Sequence, residues 1–171
     1  MHLAIAGAVT FALWKWADLR HWRRYHATIL YFCVCNLLYH YLNQGRLLWA
    51  LHGDRIVAHH ALAESLYTFY IFPATVLLFL SRAPRGHPGR LALHVAQWIV
   101  IYSVVEWCYL EIGLIRHQYG WSMGWSILFD CVLFPMLLLH ERHPLLTYGL
   151  SVVFTVVWLD LFDVISGSAF L

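Results

Sequence analysis

Six apolar stretches of helical length, separated by short connections, constrain the fold of this chain more than any other feature. Hydrophobic residues fill 61% of the 171 positions and charged residues only 12%. A soluble domain with that excess lacks the polar side chains to cover its surface, whereas in lipid each long apolar run is a candidate spanning helix. The stretches run from about Leu3 to Trp16, Ala27 to Leu42 with an extension toward Trp49, Ala61 to Leu80, Leu91 to Gly113, Trp121 to His140, and Pro144 to Ile165. The first is short against the ~20 residues that cross a ~30 Å hydrocarbon core, although Lys15 can snorkel and extend it. The expected architecture is all-α: a polytopic membrane helix bundle of about six transmembrane helices, forming one integral-membrane domain over residues 1–171. Short loops make sequential helices antiparallel neighbours.

Orientation follows from the basic residues. The connections after the first, third and fifth stretches hold Lys15, Arg20, Arg23, Arg24, Arg82, Arg85, Arg90 and Arg142, and those after the second and fourth hold Arg46, Arg55 and Arg116. Positive charge is retained in the cytoplasm, so the first set faces inward and both termini face outward. The expected location is a membrane, crossed several times. The basic residues are not gathered as a nucleic-acid surface requires, and the nine Trp and ten Tyr suit the aromatic belts of membrane interfaces. Cys33, Cys35, Cys108 and Cys131 all lie inside apolar runs without zinc-ribbon spacing and read as small packing residues.

Against that apolar background stand carboxylates at membrane depth. Glu64, Glu106, Asp130 and Asp160 fall inside the stretches, where a charge costs about 2.5–3.5 kcal/mol on insertion scales. With the topology fixed, each polar residue has a depth. Asn36 lies near mid-membrane and His40 in the outer third, on one face with Asn43. Glu64 lies in the outer third of its helix with Thr68 one turn below. Glu106 lies beyond the midplane on the outer side, and Ser122, Ser126 and Asp130 form a stripe at intervals of four. Asp160 and Asp163 end the last helix. The strongly polar groups thus share the outer half, which fits a hydrophilic pocket open to the outside and lined by Asn36, His40, Glu64, Glu106, Asp130 and Asp160. The structural alternatives are solvated helix ends for Asn43, Glu111 and Asp163, close helix approach for Ser122 and Ser126, a hydrogen-bonded packing role for His40, reach of the headgroups for Glu64, and interhelical hydrogen bonds for Glu106, Asp130 and Asp160.

The third and fifth stretches share a pattern, Phe72-Pro73 and Phe134-Pro135, each preceded by an acid and followed by an apolar run. Two readings stand: duplicated helical hairpins related by an axis along the membrane normal, or coincidence in a sequence rich in Phe and Leu. No nucleophile elbow, P-loop, dinucleotide fingerprint or zinc helix occurs.

Trp16-Ala17-Asp18 with Trp22-Arg23-Arg24-Tyr25, Leu37-Leu38-Tyr39, the run Ile71 to Leu80, and Gly120-Trp121 with Trp125 to Phe129 together resemble a family of small, uncharacterised multi-spanning membrane proteins of spore-forming Firmicutes. The resemblance covers most of the chain and implies a bacterial membrane location. An Asp is usual in that family where this chain has Asn36.

Three functions fit these residues. The first is binding or transport of a cation or a small polar or cationic ligand at the carboxylate-rich pocket. The second is an intramembrane metal-dependent enzyme acting on a lipid-like substrate, with His40, Glu106 and Asp130 as candidate ligands for a divalent metal. The third is a structural or partner-binding membrane protein. The chain's size suits a monomer with an internal pocket or a homodimer with a shared one.

Overall fold

The computed structural model describes residues 1–43, 45–52 and 59–164. Its elements are α1 (His2–Trp16), α2 (Trp22–Leu42), β1 (Trp49–Leu51), α3 (His60–Leu66), α4 (Phe72–Arg82), α5 (Pro88–Glu111), β2 (Ile115–His117), α6 (Met123–Arg142) and α7 (Pro144–Leu161). The described residues are mostly helical, with one short antiparallel ladder in which Trp49 faces His117, Ala50 faces Arg116 and Leu51 faces Ile115. Among the described residues, four helical rods are long and apolar enough to cross a bilayer: Ala61–Arg82, Pro88–Glu111, Met123–Arg142 and Pro144–Leu161. At fifteen residues, α1 reaches about 22 Å. The twenty-one residues of α2 include Arg23, Arg24, His26, Asn36 and His40, which dilute its apolar character.

The expected extension of α2 toward Trp49 does not form. Asn43 closes the helix: its side-chain amide donates to the Tyr39 carbonyl at 2.8 Å and its backbone N–H to the same oxygen at 3.0 Å. Gly45 then takes φ +80°, a conformation that favours glycine and turns the chain. It emerges as β1, where the Tyr39 hydroxyl accepts from the Trp49 N–H and donates to the Trp49 carbonyl, both at 3.0 Å.

Between α3 and α4 the helix does not stop but widens. Residues Tyr67–Ile71 form a π-helical turn, and the Phe72 N–H reaches back to the Tyr67 carbonyl. Pro73 explains the widening. Its ring clashes with the carbonyl four residues earlier and it has no N–H to offer, so the ladder slips by one residue. Pro135 is accommodated inside α6 without such a turn. The two Phe-Pro steps therefore differ locally.

The rod of α3 and α4 is the centre of the molecule. It packs against α1 and α2, while α6 packs against α2, α5 and α7. Val76, Phe79 and Leu80 of α4 meet Tyr25 and Phe32 of α2 and Phe134 and Leu137 of α6 in the main core. By contrast, α5 and α7 turn large apolar residues outward, among them Leu93, Val100 and Val104, and Leu145, Val152 and Val153.

A repeat links the two halves. Shifting by 66 positions carries Trp22, the start of α2, to Pro88, the start of α5, and Trp49, the start of β1, to Ile115, the start of β2. The same shift carries Ala50 to Arg116, its own partner in the ladder, so the ladder is centred on the repeat. Flanking hydrogen bonds obey it too: the His52 N–H donates to the Leu114 carbonyl and the Gln118 N–H to the Leu48 carbonyl, both at 2.8 Å. Beyond the strands the shift becomes 62, because twelve positions separate His52 from Glu64 and eight separate Gln118 from Ser126. Phe72-Pro73 then falls on Phe134-Pro135. The correspondence supports the duplicated-hairpin reading of the sequence.

At the end of the bundle opposite the strands, charge ties the helices together. Arg85 donates to both Glu141 oxygens, at 2.8 and 2.9 Å, and Arg24 donates from Nε to Oε1 at 3.0 Å. Burial works against the Arg85 charge, yet the Glu141 carboxylate and the adjacent Tyr25 hold its pKa above the ordinary value. Glu141→Gln keeps the shape but leaves two arginines facing a neutral amide. It is expected to cost about 2 kcal/mol, read as a lower midpoint of thermal unfolding in detergent, with Arg142→Gln as the unaffected control.

Candidate functional site

At the strand end the polar side chains gather into two groups. The first joins α2 to the top of α3. Asn36 donates from Nδ2 to the Thr68 hydroxyl at 2.7 Å, and the Cys33 thiol donates to the Thr68 carbonyl at 3.1 Å. His40 Nε2 lies 2.9 Å from Glu64 Oε2, and Glu64 Oε1 accepts from the Leu51 N–H at 3.3 Å. Glu64 thereby fastens β1 to the bundle. His2 closes the group from α1: Nε2 donates to the His52 carbonyl at 2.9 Å, and Nδ1 lies 3.3 Å from the Tyr67 hydroxyl. Tyr67 in turn meets the Tyr109 hydroxyl of α5 at 3.1 Å.

The second group joins α5, β2 and α6. His117 Nε2 donates to Glu106 Oε1 at 2.7 Å. The Ser126 hydroxyl donates to the same oxygen and accepts from the Trp121 indole N–H at 2.8 Å. Asp130 sits one helical turn below Ser126 on the same face. It is 5% exposed, lies within the field of Glu106 and receives no hydrogen bond from the described residues. Glu106 and Asp130 both line a large cavity that also reaches Asn36, Tyr102 and Ser126.

The groups correspond under the repeat. His40 and Glu64, a contacting pair, map to Glu106 and Ser126, also a contacting pair. Asn36 and Thr68 map to Tyr102 and Asp130, and the Asp130 carboxylate acts electrostatically on Tyr102. One framework thus holds a satisfied neutral pair in the first hairpin and an uncapped acid in the second.

Of the six residues expected to share a pocket, five lie in these groups. Asn36, His40 and Glu64 belong to the first, and Glu106 and Asp130 to the second. Asp160 belongs to neither: it is exposed near the end of α7 and lines no part of the cavity. Aromatic packing of Phe162 and Trp158 against Trp121 and Trp125 fills the space that an inward Asp160 would need. The candidate metal ligands divide as well, His40 into one group and Glu106 and Asp130 into the other. Among the described residues no three His, Cys, Asp or Glu side chains are grouped closely enough to ligate one ion.

Sequence reasoning reads Ser126 as a small packing residue and gives His117 no role, so it misses both as partners of Glu106. Their convergence depends on β2, a three-residue strand in a stretch that reads as a loop. The turn before α6 fixes Trp121: Tyr119 and Gly120 both take positive φ, 50° and 82°, and the Trp121 N–H closes onto the Gln118 carbonyl at 3.0 Å. Arg46 lies over the Tyr119 ring at 5.0 Å and donates to the Asp163 carbonyl at 2.9 Å.

The chain matches no family profile, no curated protein and no solved structure.

Proposed function

We propose that this chain is a multi-pass integral membrane protein of a bacterial cytoplasmic membrane whose second polar group binds, and in a transport cycle releases, a cation or small cationic ligand from the outer side. Six helical rods cross the bilayer in this reading, the first one short. Although α2 is less apolar than the other rods, it is packed along the Ala61–Arg82 rod and α6, which are of spanning length, and so crosses with them. His2 and Phe162 both pack at the strand end, and Arg24 and Arg85 lie at the other, so the positive-inside rule puts the strands and both termini outside.

One observation carries the functional reading. Asp130 is a buried carboxylate on the wall of a cavity that Glu106 also lines, with no donor of its own among the described residues. Glu106 already has His117 and Ser126 as partners, whereas a buried acid such as Asp130 is costly unless a proton or cation offsets its charge. Repeated hairpins around a site near mid-depth also suit alternating exposure to the two sides. The first group reads differently: Glu64 and His40 brace β1, and we assign them a structural role.

The test is ligand-dependent stability of the full-length chain in detergent. Methylammonium and a series of metal chlorides are expected to raise the unfolding midpoint of the wild type in a saturable way, in proportion to ln(1 + [L]/Kd). Absence of any saturable shift, together with absence of proton or cation flux in vesicles, rejects the proposal.

A further inference from the structure

The space in front of Asp130 is much larger than a small ion needs. The cavity measures about 1870 Å³, against roughly 300–1,000 Å³ for pockets that enclose drug-sized ligands. Its walls come from α1, α2, α4, α5, α6 and α7, among which the α4–α5 and α2–α7 pairs have few close backbone approaches. In a bilayer such a cavity opens sideways to lipid. The α4–α5 side is lined by Ile71, Thr75, Ile101 and Val105, and it leads to Glu106 and Asp130.

Charge along this space is one-sided. The two acids are its only carboxylates among the described residues, and its only Lys or Arg is Arg82, at the far end of α4. Aromatic side chains share its lining with the acids: Phe129, Trp121 and Trp158, with Phe129 6.4 Å from Trp121 and 6.1 Å from Trp158, ring centre to ring centre. A metal ion would leave the apolar walls and aromatic faces unused and would need more oxygen ligands than two carboxylates supply. A phospholipid headgroup would bring its phosphate against the acids.

Resting on the reading of Glu106 and Asp130 as a cation site, we infer that the ligand is a lipophilic cation. It has an apolar body of aromatic dimensions and one positive charge, enters sideways between α4 and α5, and sets its charge against Asp130. Apolar contact supplies affinity, the carboxylates supply selection for charge, and the aromatic faces add attraction for an organic cation.

Three probes and two variants test this on the full-length chain in detergent. The probes are tetraphenylphosphonium, the neutral triphenylphosphine oxide, and methylammonium. Tetraphenylphosphonium should bind saturably, with quenching of tryptophan emission, at least thirtyfold more tightly than the oxide. Asp130→Asn should erase that preference for charge. Ile101→Trp narrows the sideways opening without touching either acid; it should weaken tetraphenylphosphonium at least tenfold and leave methylammonium unchanged. Should Asp130→Asn fail to fold, the Ile101→Trp result still decides. Equal binding of the charged and neutral probes overturns the inference. Unchanged tetraphenylphosphonium binding in Ile101→Trp, with methylammonium bound as tightly, overturns it while leaving the small-cation site standing. No binding of any cation removes both.

Discussion

Asp130→Asn is expected to weaken cation binding by about 30- to 150-fold, while Asp160→Asn leaves it within about twofold. The estimate takes about 2–3 kcal/mol for one charged contact in a partly dehydrated site and converts it at 1.4 kcal/mol per tenfold change in affinity. The substitution preserves volume and removes only the charge, so the side chain still fits beside Tyr102 and below Ser126. Stability should hold or rise in the absence of ligand, because a buried carboxylate without a donor becomes a neutral amide. A merely structural role for Asp130 predicts the reverse pairing, with binding unchanged and stability lost. Asp160 is the matched control: the same chemistry in the same half of the bundle, but exposed. Equal losses in the two variants would dissolve the distinction between them. The measurement is equilibrium binding of methylammonium by competition in detergent, with unfolding midpoints recorded for each variant.

Much of the architecture was legible because apolar runs and basic connections are direct statements about solvent. The rods α5, α6 and α7 fall within three residues of the expected starts at Leu91, Trp121 and Pro144. Proline at the first positions of α5 and α7 marks their beginnings, since its missing N–H has no partner there in any case. The end of α2 was harder. Asn43 and Gly45 carry the stop signal, but Leu47, Leu48 and Trp49 beyond them are apolar enough to read as continued helix. They are apolar because they pack: Leu48 is buried with Trp121 and Phe162, and Trp49 stacks on Tyr39 at 5.0 Å.

The site was legible in kind but not in grouping. Depth assignments bring Glu64, Glu106 and Asp130 to one half of the bundle, because helical rise and topology fix depth. They leave open which face each helix turns to which neighbour. That choice is made by the β1–β2 ladder, a contact between two connections far apart in sequence, and no local pattern announces it. The ladder turns His117 onto Glu106 and holds Leu51 against Glu64, splitting one expected pocket into a braced pair and an open one. Asp160 shows the same limit from the other side. It lies toward the strand end, but the aromatic residues around it claim the interior.

Phe134→Ala is expected to lower stability by about 3–5 kcal/mol, the largest loss from any single truncation in the bundle. Phe134 is fully buried, with ring centres of Phe79 at 5.0 Å, Tyr102 at 5.1 Å and Trp98 at 6.0 Å. These neighbours belong to α4 and α5, so one side chain on α6 supports three helices. Between helices in lipid there is little hydrophobic drive, and close packing takes its place; a void here loses contacts that nothing else restores. Aromatic pairs add about 0.5–1.5 kcal/mol each beyond their area. Phe11→Ala, at a side chain 52% exposed on α1, should cost no more than about 0.5 kcal/mol. Phe134 also lies one turn below Asp130 and packs on Tyr102, which feels that acid's charge. Phe134→Leu should therefore recover most of the stability and the binding together, as judged by unfolding midpoint and methylammonium affinity in the same samples. If Phe134→Ala destabilises no more than Phe11→Ala, then α6 is not the element that joins the two hairpins, and the cavity wall that presents Asp130 has been drawn in the wrong place.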